Sequence, residues 1–239
     1  FGSIQGTTIK DLTVAGSVSG SQATAGIVVN ASGASLIQNC VNNAAVTGTG
    51  AGDLVGGIVA GANDTVTISS CINNGDISNA AYQVGGVVGY LSGSVVVTGC
   101  TNTGAVSGSY NIGGIVGNNS GNTIVNNCLN TGAVTATSTG TDANYSAGGI
   151  VGYTKFDVKI NQCANRGAVS GSVMNVGGVA GYLSGSGTIF TDSYNTGSVT
   201  STSTNASANT GGVVGRMHTA ACTVQNTYNA GTVTGNGTS

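Results

Sequence analysis

One phrase recurs along the chain, and it restricts the possible folds more than any other feature. "CTNTGAVSGSYNIGGIVG" begins at Cys100, and near-copies begin at Cys71 ("CINNGDISNAAYQVGGVVG") and Cys163 ("CANRGAVSGSVMNVGGVAG"). Aligned on the cysteine, the column reads Leu12, Cys40, Cys71, Cys100, Cys128, Cys163, Ser193, Thr227, with neighbours 28 to 35 positions apart. Two positions later come Val14 and then seven asparagines: Asn42, Asn73, Asn102, Asn130, Asn165, Asn195 and Asn229. Four positions after the cysteine column the residue is almost always Gly, as at Gly75, Gly104 and Gly132; six after it stands Val or Ile, from Val18 to Val233. A glycine pair forms a second landmark, from Gly56-Gly57 to Gly211-Gly212, with Ala25-Gly26 in the first copy. From this pair to the next cysteine column is always 15 or 16 residues. From the Val/Ile column to the pair is anything from 7 to 14, so length varies almost only in one connection.

A fixed period of about 30 residues is the mark of a stacked repeat. One coil cannot bury its apolar side, but a stack of coils can. Composition supports strands: Val, Ile and Thr are abundant, Gly is 43 of 239 residues, Pro and Trp are absent, and only 12 residues are charged. The expected fold is all-β, a parallel β-helix (β-solenoid) of about eight coils spanning residues 1–239 as one domain. Each coil would hold about three short strands, wound in the right-handed sense that crossover connections favour. The Val, Ile and Cys columns would face inward. The recurring Gly would serve corners of positive φ or close backbone approach. A β-sandwich or propeller is the rival, but a blade needs about 40 residues or more and its usual signatures are missing.

The asparagine column reads as a structural ladder of stacked amides rather than a row of ligand contacts. Five of the six cysteines share one column, without C-x-x-C spacing. A reduced ladder of small buried hydrophobes is favoured. Disulfides between adjacent coils and a row of soft-metal ligands are the competing readings; parallel stacked side chains would strain a bridge.

With these residues in register, the phrases "GGIVG", "GGVVG" and "GGVAG", coupled to "NxGxV", resemble the GLUG motif, a short repeat of bacterial extracellular proteins. The resemblance covers about Leu12 to Val233. It implies a secreted or cell-surface location, in adhesins or in the non-catalytic parts of metallopeptidases that cleave immunoglobulin A. It brings no catalytic residues, and no H-E-x-x-H zinc site is possible because His218 is the only His.

Few residues in the chain are placed to do chemistry. Paired carboxylates for sugar cleavage need to stand about 5–10 Å apart. Asp53 and Asp64 flank opposite ends of one strand, as do Asp142 and Asp157, and Asp11 and Asp192 lie six coils apart. No enzyme activity, cofactor or metal is expected. The net charge of −2 gives no footprint for nucleic acid, and no apolar run is long enough to span a membrane. Two surface features could bind a ligand. Tyr90, Tyr153 and Tyr182 share a column five residues after the first Gly of the pair; Tyr145 lies in the longest variable connection, "TATSTGTDANYSA". A second long connection, "TSTSTNASANT", runs from Thr200 to Thr210, and loops on one solenoid edge are where binding varies. N-x-S/T sequons, such as those at Asn30 and Asn236, arise easily in so Ser/Thr/Asn-rich a chain.

The expected role is therefore an extracellular structural or interaction protein: a stalk, adhesin segment or filament subunit. Its partners would be further repeats of a longer chain or other copies stacked end to end, and host or surface glycans are possible ligands. A carbohydrate-binding or ice-binding module is the alternative, although Thr concentrated in irregular insertions argues against ice. Phe1 reads as the start of a processed chain or fragment, and neither terminal coil shows a capping element.

Overall fold

The computed structural model describes residues 1–50, 54–80, 82–218 and 221–235. Among them the regular structure is all strand, with no helix. The strands form a parallel β-solenoid of about eight coils, assembled into five parallel sheets. One coil shows the pattern: Val116–Gly121 belongs to sheet 1, Thr123–Asn126 to sheet 2, Leu129–Asn130 to sheet 3, Val134–Ala136 to sheet 4 and Ser146–Gly148 to sheet 5. Sheets 1 to 4 have eight strands each and sheet 5 has seven. Register follows the sequence columns. Asn102 pairs with Asn73 and Asn130, Val106 with Ile77 and Val134, and Gly113 with Gly85 and Gly148.

Five short strands per coil, rather than about three, reflect how often the chain is made to turn. The turn from sheet 2 to sheet 3 is made by the residue just before the cysteine column. Asp11, Asn39, Ser70, Asn127, Gln162, Asp192 and Asn226 there all have φ between 51° and 56°, and Gly99 has φ 63°. Asn and Asp tolerate this left-handed region better than other side chains. Positive φ therefore falls mainly on a polar column, and the recurring Gly serves close approach, except at Gly16 of the first coil, which has φ 100° and open space where a Cβ would stand. At Gly104 a Cβ would collide with the Gly75 carbonyl of the preceding coil, and the same clash recurs up the stack. The glycine pair makes the corner between sheets 5 and 1, where a Cβ on Gly85 would strike the Val88 carbonyl.

The interior is divided into two apolar lobes. The larger holds the Ile, Val and Cys side chains of sheets 1 and 2 and of the following corner, such as Ile68, Cys71, Val88 and Phe190. The smaller lies between sheets 4 and 5, with Val46, Ile77, Val106, Ile112 and Val134. The asparagine column runs between them. The second glycine of each pair closes over it: a Cβ on Gly86 would meet the Asn102 side chain, and one on Gly114 would meet Asn130. This opposition explains why the two halves of the repeated phrase occur together. An amide can occupy the waist of the solenoid only if the facing residue has no side chain.

Candidate functional site

Polar groups inside the solenoid are committed to holding coils together. Asn42, Asn73, Asn102, Asn130, Asn165 and Asn195 each donate from Nδ2 to Oδ1 of the next asparagine, at 2.7–2.8 Å. Each Nδ2 also donates to the carbonyl two residues ahead, and Asn229 ends the row with a bond to the Gly231 carbonyl. Both amide hydrogens are thus used, one along the solenoid axis and one within the turn. All but Asn229 are buried. These residues present nothing to a ligand.

Cys40, Cys71, Cys100, Cys128 and Cys163 are buried and unbridged. Their thiols donate to carbonyls two residues earlier and one coil below, as Cys71 does to Ser69 and Ile37. The neighbouring Cys100 thiol and burial push Cys71 up, and Cys100, Cys163 and burial push Cys128 up, so both thiols stay protonated. Ser193 continues the column, giving a hydrogen bond to the Thr191 carbonyl and accepting one from the Cys163 amide. Cys222 stands outside this row and donates to the Gly185 carbonyl.

The carboxylates are likewise occupied. Asp64 accepts from the Gly33 amide, Asp76 from Ala105, Asp142 from Asn144 and Asp157 from Gly187. Asp11 and Asp192 accept from the side chains of Asn39 and Asn226 in the same left-handed column. Asp53 and Asn236 lie outside the described residues. Among the described residues no three His, Cys, Asp or Glu are grouped to hold a metal. Among the described residues no helix is long and apolar enough to cross a membrane.

The tyrosines form three groups. Tyr153 and Tyr182 are register partners on sheet 1, with ring centroids 5.4 Å apart. Arg216 lies over the Tyr182 ring at 5.1 Å, and the exposed His218 meets its edge at 6.1 Å. Burial, then Tyr182 and the Asp142 carboxylate, raise the Tyr153 phenol. Tyr90 shares the row but is cut off from that pair by Asn118. Tyr145 belongs elsewhere. It stacks on Tyr110 at 3.8 Å, and Tyr82 meets Tyr110 edge-on at 4.7 Å. These three stand three residues before the glycine pair in successive coils, a spacing visible in the sequence once that column is written out. The third group, Tyr194 stacked on Tyr228 at 5.1 Å, lies one residue after the cysteine column. The Arg166 guanidinium donates to the Tyr194 hydroxyl at 2.8 Å. In the two parallel stacks each ring gives a face to its neighbour, which suits them to holding coils together more than to receiving a sugar ring.

Two further features were hidden in the repeat. A continuous hydroxyl row follows sheet 4 from Ser19 through Thr47, Ser78, Ser107, Thr135, Ser170 and Thr200 to Thr234. Beyond that row, the connection from sheet 4 to sheet 5 is long in one coil (137–145), short in the next (172–174) and long again in the one after (202–208). The two long connections stand as ridges on either side of the short one.

The fold and site together define a parallel β-solenoid with one elaborated edge. No family model, curated protein or solved structure matches the chain.

Proposed function

We propose that the chain is a structural and interaction module of an extracellular protein, serving as a stalk, adhesin segment or filament subunit. One observation carries the reading. Buried amides, thiols and turn carboxylates are spent on coil-to-coil bonds, while length varies almost only in the connection between sheets 4 and 5. A rigid rod that varies along one edge is suited to spacing and display, and it needs no catalytic group. The likeness of its phrases to the GLUG repeat supports a location outside the cell. Every coil is a parallel template for the next, so a free coil edge fits further coils of a longer chain or another copy stacked end to end. Fractionation of source cells with an antibody to this chain tests the location. Recovery in the surface or secreted fraction is expected, and confinement to the cytosol overturns the reading. Electron microscopy of the native protein should show rods at least as long as the roughly 40 Å that eight coils span.

A second reading, a module that binds carbohydrate, is favoured by the ridged edge.

A further inference from the structure

The groove between the two long connections is built and polar, and no charged side chain lines it. We propose that it binds a neutral oligosaccharide. The inference deepens the interaction reading by naming a ligand class for the elaborated edge. Its volume is about 330 Å³, and it is lined by Thr139, Thr141, Ser172, Thr202, Thr204 and Asn205 among others. This is at the small end of the range of ligand pockets.

The groove exists because coils of unequal connection length are stacked. Residues 137–145 and 202–208 form its walls, and the short connection 172–174 between them supplies the floor at Ser172. Both walls carry their own hydrogen bonds. In the first, the Gly140 amide donates to Ser138 Oγ, Asn144 to Asp142 Oδ1 and Tyr145 to the Asp142 carbonyl. Tyr145, the last residue of that wall, is held against Tyr110, and Ser172 ties the floor to the wall through the Ser138 carbonyl at 3.1 Å. In the second, Ser207 donates to Asn205 Oδ1 at 2.8 Å and Ala208 to the Asn205 carbonyl at 3.0 Å. A groove whose walls are already ordered loses less conformational freedom on binding.

Its chemistry selects the ligand class. The hydroxyls of Thr139, Thr141, Thr202 and Thr204 make no hydrogen bond among the described residues, and all four residues are exposed. A hydroxyl both donates and accepts, so a row of them matches the mixed donor and acceptor pattern of sugar hydroxyls. The threonine methyls add apolar contact for sugar C–H faces. No Lys, Arg, Asp or Glu lines the groove, which gives nothing to recognise an acidic glycan. It also lacks an apolar pocket for a peptide anchor side chain.

The test measures binding of the whole chain to maltotriose, mannotriose, chitotriose and lactose, beside a sialylated lactose and a library of extended peptides. At least one neutral probe should bind. Thr139→Val combined with Thr202→Val and Thr204→Val should weaken that binding at least tenfold without moving the melting temperature. Thr98→Val on sheet 2 should leave it unchanged. Replacing residues 137–145 by a three-residue connection removes a wall and should abolish binding. The proposal is overturned if no neutral probe binds at millimolar concentration. An unchanged affinity in the triple variant overturns it too, as does binding confined to the sialylated probe or to peptides. None of those results bears on cell location or rod length, so the stalk reading stands or falls separately.

Discussion

Asn102 donates its side-chain amide to Oδ1 of Asn130 at 2.8 Å, and its own Oδ1 accepts from Asn73 at 2.7 Å. The same Nδ2 also satisfies the Gly104 carbonyl. Replacing Asn102 by Leu therefore strands three buried polar groups at once. Each costs roughly 1–3 kcal/mol when unsatisfied, so the three together should cost at least about 3 kcal/mol in chemical denaturation. Asn229 ends the row partly exposed, and Asn229→Leu should cost less than half as much. Equal costs would show that the ladder is not what holds the waist. Asn102→Asp places a buried carboxyl that cannot donate when ionised. Its folded-state pKa should be raised, so the deficit of this variant should shrink as pH falls.

Glycines in this chain divide by the reason they are there. A Cβ on Gly104 would overlap the Gly75 carbonyl, so Gly104→Ala should cost about 3 kcal/mol or more or prevent folding. Gly99 has φ 63° and nothing closer than 3.7 Å to a Cβ, in a column otherwise filled by Asn, Asp, Ser and Gln. Gly99→Asn should leave stability within about 1 kcal/mol of the parent. Melting temperatures of the two variants check the contrast, and similar losses in both would contradict it.

Within the thiol column the shifts alternate: Cys71 and Cys128 are pushed up, while hydrogen bonding with Cys128 holds Cys100 and Cys163 down, so only the first pair weakens the fold at alkaline pH. Cys71 and Cys128 keep their protons in the folded chain above the ordinary thiol value of 9.0. The folded state then binds more protons than the unfolded one at high pH. The stability they contribute is complete below about pH 9 and declines as pH rises past it, by up to about 1.4 kcal/mol per pH unit for each thiol. Thiol reagents should label these cysteines only after denaturation. Native labelling of the column at neutral pH would show that it is accessible. Cys128→Ser should be tolerated at a cost of about 1–2 kcal/mol, since Ser193 already fills this column.

Stacked tyrosines should be coupled energetically. A double-mutant cycle of Tyr110→Leu and Tyr145→Leu should give an interaction of about 0.5–1.5 kcal/mol, whereas Tyr90→Leu and Tyr145→Leu should be additive. Additivity in the first pair would mean that the ring stack does not support the long connection above it.

The sequence by itself determined the stack. A period near 30, with Asn, Cys, Val and Gly at fixed offsets, leaves parallel coils as the arrangement that places like residues on like, and the observed register follows those columns residue by residue. It could do so because each coil meets only its neighbours, so the folding rule is local and is written out eight times. What required the tertiary structure were relations across a coil or between non-adjacent coils. The facing of Gly86 and Asn102 joins positions on opposite sides of one turn. The left-handed column is polar because Asn and Asp relieve that backbone, a preference hidden among so many loop-forming residues. The division of Tyr90, Tyr145, Tyr153 and Tyr182 between different rows depends on where each ring lies in cross-section. The groove depends on a long, a short and a long connection becoming neighbours only when the coils are stacked. Each connection alone is an ordinary Ser/Thr loop; the space between two of them belongs to the assembled solenoid.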